Sequence, residues 1–264
     1  MEKILLNHHA GVVLPYYADE EGILHFIMEE KSEDYKPPYF DNGLNFIGGN
    51  WMAQDNSPRG TIDREVKEEF RRTPEALESL NSLLGGEKFL EREAEVQSHE
   101  DVAAVENIQH FGETISKMMR HCADYVVEVH PPIRKEVLRY GVSVFLKKLR
   151  EYESDWMGEI LAEYGGKLTT DNINRGSRIV SVTLDDINSQ NKKFAWGYDI
   201  ILNRVLFGDG GFLIGRNYEP GVIRTLSLVS VSPMELPKKK DSNPDEGPSY
   251  EEIEAAGYSY KKTR

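Results

Sequence analysis

The sequence predicts an α/β fold of the α+β kind, a sandwich built on a sheet of mixed direction. Three observations lead there. β-rich runs lie on both sides of an amphipathic helix, Pro, Gly, Asn or Asp clusters bound those runs, and the hydrophobic period switches between strand-like and helix-like values. A length of 264 residues with 39% hydrophobic composition is enough for a substantial core.

The runs "AGVVLPYY" (10–17) and "ILHFIMEE" (23–30) are separated by a short polar turn ending in Gly22, and a hairpin is the simplest join. Pro37-Pro38 and Asn42-Gly43 mark 32–43 as a loop, and "LNFIGG" (44–49) is a short strand ending in two glycines. From Thr61, the spacing of Ile62, Val66 and Phe70 makes one apolar stripe on a helix. Thr73-Pro74 reads as a fresh helix start, and the Glu-, Ala- and Lys-rich stretch to 121 extends a helical insertion over about 75–121. Strand patterns return at 124–129, 142–149, 178–184 and 222–231, with a helix at 194–207. A single domain over 1–232 is expected, followed by a polar, mobile tail over 233–264 with at most a short helix near 250–258.

Charge narrows the partners. With 32 Lys+Arg against 45 Asp+Glu the net charge is −13, which disfavours nucleic acid as the main partner. The basic run Lys238-Lys239-Lys240 sits in the polar tail and reads as a solvated linker. The lone Cys122 cannot form an internal disulfide, no early stretch has the form of a secretory signal, and no apolar run is long enough to span a bilayer. A cytoplasmic protein without membrane association is the expectation.

The chemistry concentrates in "REVKEEF" (64–70). On a helix Glu65, Glu68 and Glu69 project together, and three carboxylates so close repel one another unless a cation sits among them. Hard oxygen ligands of this kind suit Mg²⁺ or Mn²⁺. Taken alone the stretch reads more readily as a solvated helix face, with Arg64 pairing to Glu68 across one turn. The upstream order weighs against that: Gly48-Gly49 closes a strand, and a loop of some dozen residues then delivers the chain into the acidic helix. Glycines there let the backbone turn sharply and approach a ligand, and an exposed carbonyl supplies another oxygen.

At "GG" (48–49) and "REVKEE" (64–69) the chain resembles the Nudix hydrolase superfamily, whose motif runs G-x5-E-x7-R-E-U-x-E-E-x-G-U with U aliphatic. The order of strands and helices over roughly 8–207 follows the same family. The resemblance implies an α/β/α sandwich and Mg²⁺- or Mn²⁺-dependent hydrolysis of a nucleoside diphosphate linked to another moiety. It implies that Glu65, Glu68 and Glu69 bind the metal, that Gly48 offers it a carbonyl, and that Arg64 braces the loop by an ion pair. Asp55 lies six positions after Gly49, where the motif has Glu, but eight residues instead of seven separate it from Arg64; Arg71 replaces the later Gly and Arg72 the final aliphatic. These departures keep open a nucleotide-sensing or protein-interaction module on the same fold.

Other residues carry weaker expectations. Gly49 and Trp51 are candidates to border the substrate, Trp51 because an aromatic directly after the glycines could flank a nucleobase. Glu151, Glu153 and Asp155 are candidate general bases in a later loop. His8-His9 reads as structural, since neighbours on a strand point to opposite faces, and "GDGGFLIG" (208–215) reads as a turn. An insertion face of Leu77, Leu80, Leu83 and Leu84 must be buried, either over the cleft or in a homodimer.

Overall fold

A computed structural model describes residues 4–35, 40–69, 110, 112–129, 138–151, 153–155, 158, 177–207, 227–230, 249, 251 and 258–260. Its spine is β2 (His8–Ala18), which follows the three-residue β1 (Ile4–Leu6). The run Ala10–Leu14 is buried without alternation, as expected of a strand covered on both faces. The predicted hairpin forms: β3 (Leu24–Glu30) returns antiparallel with Tyr16 opposite Phe26 and Ala18 opposite Leu24. Asp19 shapes the turn by accepting the Glu21 and Ile23 amides, and Gly22 sits at φ 79°, where a side chain would be strained.

The predicted strand over 44–49 is two short pieces, β4 (Leu44–Asn45) beside β3 and β5 (Ile47–Asn50) beside β2. Helix α1 (Pro58–Glu69) begins four residues before Ile62, the first residue of the apolar stripe; Ser57 caps it by accepting the Gly60 amide, and Pro58 takes the first position. Then come β6 (Arg120–Val129), β7 (Leu138–Lys148), β8 (Arg178–Thr183), α2 (Leu184–Ser189), α3 (Tyr198–Phe207) and β9 (Ser227–Ser230). Helix α2 is not foreseen by periodicity: Thr183 and Asp186 form a reciprocal capping box that starts it. The first four residues of the predicted helix at 194–207 instead form a bridge and turn, with Trp196 and Gly197 at positive φ.

β2 pairs in parallel with β7 from His8–Tyr140 to Tyr16–Lys148, and antiparallel on its other side with β5 and then β3. β8 joins β3, β6 joins β7, and β9 joins β6, which gives an eight-stranded mixed sheet. Alternation along β2 feeds two cores. Val12 and Leu14 pack with Phe26, Phe46, Val144 and α2–α3 residues such as Ile187 and Ile201. Val13 packs on the opposite face with Ile27, Ile47, Phe145 and the Ile62 and Val66 stripe of α1. The mixed α/β sandwich expected from the sequence is therefore present, with helices on both faces of the sheet.

At the C-terminal end the structure departs from the expected tail. Residues Tyr258–Tyr260 form β10, which pairs in parallel with β1. The expected helices over 75–109, their leucine face with the homodimer it implied, and the turn at 208–215 lie outside the described residues, as does the rest of 233–264 apart from Ser249 and Glu251.

Candidate functional site

Two glycine contacts bring α1 down onto the sheet, and a third packs β5 closely on β2. A Cβ on Gly11 would lie 2.1 Å from the carbonyl oxygen of Pro58, so the first turn of the helix rests on bare backbone. Gly48, at φ 135°, has the Gly11 carbonyl oxygen 2.3 Å from its missing Cβ position. At Gly49 the missing Cβ position is taken by the Glu65 carboxylate, whose Cδ and Oε1 lie 2.3 Å away from it. Gly49 and Glu65, sixteen residues apart in sequence, are thus in one contact.

Arg64 ties this contact to the intervening loop. Its Nε donates to Asp55 Oδ1 at 3.0 Å and its Nη2 to Asp55 Oδ2 at 3.2 Å, a two-pronged pair. Nη2 also reaches the Asn50 carbonyl at 2.7 Å, and Nη1 lies 2.8 Å from Glu65 Oε1. Asp55 in turn accepts the Met52 amide and the Thr61 hydroxyl. Burial pushes the Asp55 carboxyl up, but Arg64, the Met52 amide and Thr61 outweigh it and hold the group below the usual carboxylate range. Burial lowers Arg64, but the Asp55 and Glu65 carboxylates more than reverse that and raise it further above its ordinary value.

Asp55 is the partner that sequence reasoning did not assign. Its signal was its place six residues after Gly49. Because a loop can bulge, the extra residue before Arg64 does not prevent the two side chains from meeting. Trp51 also serves the loop: its indole Nε1 donates to the Asp55 carbonyl at 3.1 Å, and its amide to the His9 carbonyl. The indole N–H is thus spent on loop closure.

Glu65 is the one member of the predicted carboxylate trio whose side chain is described; those of Glu68 and Glu69 lie outside the described residues. Among the described residues no group of three or more His, Cys, Asp or Glu is gathered closely enough to hold a metal. Of the candidate bases, Glu151 and Asp155 are exposed, whereas Glu153 is buried. Glu153 is 3.2 Å from the buried Lys147 and 3.0 Å from Arg150. Burial raises its carboxyl, and the Arg150 and Lys147 contacts more than reverse that, so Glu153 is a structural ion-pair member.

His8 and His9 divide as expected: His8 is exposed and stacks on Tyr140, while His9 is buried with Nε2 2.9 Å from Ser143 Oγ. Ser143 donates onward to Asp124, which His121 also contacts. This polar chain shares a sheet row with the site, since Gly49, Gly11, Ser143 and Asp124 stand side by side across β5, β2, β7 and β6.

No protein-family model matches the chain, and no characterised protein matches it in sequence. No described helix is long and apolar enough to cross a membrane.

Proposed function

We propose that the chain is a Mg²⁺- or Mn²⁺-dependent pyrophosphohydrolase of the Nudix type, acting on a nucleoside diphosphate linked to another moiety. The seat of Glu65 carries this reading: a carboxylate lies in the cradle left by Gly49, and Arg64 ties it to Asp55. A purely solvated helix face has no need of a glycine beneath it or of a guanidinium shared between helix and loop. The cradle fits an oxygen-donor site, because the atoms nearest to the space a side chain at position 49 would take are those of the Glu65 carboxylate.

In this reading Glu65, Glu68 and Glu69 hold the metal and Gly48 offers a carbonyl oxygen. A divalent ion bound there supplies neutralisation of the diphosphate and a more acidic water. The chain's own contribution is position. Arg64 fixes the Glu65 carboxylate, the Asp55 pair keeps the loop over 51–57 closed against α1, Gly49 makes room for that carboxylate and Gly48 for the neighbouring backbone of β2.

The test is a hydrolysis screen over dinucleotide polyphosphates, nucleotide sugars, ADP-ribose and nucleoside triphosphates in Mg²⁺ and Mn²⁺, beside calorimetric titration of Mn²⁺. Glu68→Gln and Glu69→Gln should each abolish turnover and weaken Mn²⁺ binding while the melting temperature holds. Wild-type rates and Mn²⁺ affinity in both variants would defeat the proposal. Tight nucleotide binding with no turnover in either metal would make the protein a binding module.

A further inference from the structure

Asp55 gathers the hydrogen bonds of the candidate site, and its carboxylate partners Met52, Thr61 and Arg64 belong to the loop or to α1. That unit must be set at the right place over Gly49. It meets the sheet where Arg64 Nη2 donates to the Asn50 carbonyl at 2.7 Å, and again at Trp51. The tip of the loop, Met52 to Gln54, is exposed, so hydrogen bonds and not apolar packing fix its path.

Trp51 makes two of those bonds, in opposite directions. Its amide donates to the His9 carbonyl at 2.7 Å, one step beyond the Asn50–Ala10 pair that ends β5 on β2. Its indole Nε1 reaches forward and donates to the Asp55 carbonyl at 3.1 Å. The anchor on the sheet side is firm, because His9 is buried and its Nε2 lies 2.9 Å from Ser143 Oγ. The Asp55 amide also closes on the Met52 carbonyl at 2.9 Å, so the stretch 51–55 is a ring closed at two points. From Asp55 the placement passes to Arg64 through the two-pronged pair, and Arg64 lies 2.8 Å from Glu65 Oε1.

We infer that Trp51 is a positioning residue for the Glu65 carboxylate, acting through Asp55 and Arg64. Its effect on turnover rests on the hydrolase reading, whereas its effect on Arg64 does not.

Trp51→Phe tests this, because an aromatic ring is kept while the N–H donor is lost. Trp196→Phe is the control. It removes another indole hydrogen bond, the 3.2 Å contact to Tyr35 Oη, from the core on the opposite face of the sheet. Both variants should lose stability in urea. Only Trp51→Phe should speed hydrogen exchange at Arg64 Nε, read by NMR and assigned from its absence in Arg64→Lys, by about fivefold or more, the factor that one ordinary hydrogen bond represents. On the hydrolase reading kcat should fall by a similar factor at unchanged KM. Unaltered exchange at Arg64 in Trp51→Phe, or the same acceleration in Trp196→Phe, would overturn the inference. A raised KM at unchanged kcat would overturn it too, since that is the mark of a residue that binds substrate. Should the wild-type protein turn over no substrate, the hydrolase reading alone fails, and exchange at Arg64 still decides the role of Trp51.

Discussion

Replacing Gly49 with alanine separates the candidate site from the fold. The new Cβ would lie 2.3 Å from the Glu65 Cδ and Oε1, whereas ordinary contact begins at 3.4 Å, so the carboxylate must retreat by the difference of 1.1 Å. The atoms in the way are the end of a flexible side chain, and the Gly49 backbone lies outside the left-handed region, so alanine adds no strain of its own. Lower chain entropy in the unfolded state offsets part of the disturbed Arg64–Glu65 contact, and the net stability change should stay within about 1 kcal/mol. A displacement of about 1 Å at a positioned catalytic group costs on the order of a hundredfold in turnover. The assay is Mn²⁺-dependent hydrolysis of the best substrate from the screen, beside urea denaturation. Gly11→Ala is the contrasting control: its Cβ would meet the Pro58 backbone oxygen at 2.1 Å, and backbone cannot swing aside. That variant should lose on the order of 1–3 kcal/mol or more. Wild-type turnover and metal affinity in Gly49→Ala would show that the seat of Glu65 has no part in the chemistry.

Further outcomes follow from the same geometry. Asp55→Asn removes one partner of a pair whose side chains are 3% and 11% exposed, and should cost roughly 3 kcal/mol in urea unfolding; an unchanged midpoint would mean the brace is idle. The His9 imidazole is pushed down by burial to about 4 from 6.5, against the pull of Asp124. The unfolded chain therefore binds the proton first, and the stability that His9 contributes is full above pH 6.5 and lost as pH falls toward 4. Between pH 7 and pH 5 the loss should be on the order of 2 kcal/mol. His9→Gln should flatten that slope, and a wild-type protein equally stable at both pH values would refute the account.

Local pattern was a good guide where the elements are self-contained. The hairpin at Asp19–Ile23, the strands at 142–149 and 178–184 and the apolar stripe of α1 all depend on periods and turns within a few residues. It was a poorer guide to α2, where a six-residue helix is too short to show a period and its signal is the capping pair Thr183 and Asp186. It also missed the seam of β10 with β1, because a three-residue parallel pairing between chain ends leaves no local trace. Among the candidate residues, Arg64, Gly49 and Glu65 meet at one place, while Glu153 turns out to be occupied by Lys147.

Residue order alone therefore carries the α/β character and the presence of an acidic helix after a glycine pair, because side-chain periodicity and glycine's missing Cβ act over a turn or two of chain. The choice of Asp55 as the partner of Arg64 and the placement of Glu65 on Gly49 arise only when distant segments pack. Those outcomes depend on which strands pair and where α1 lands on the sheet, distances set by burial and close packing across the whole domain.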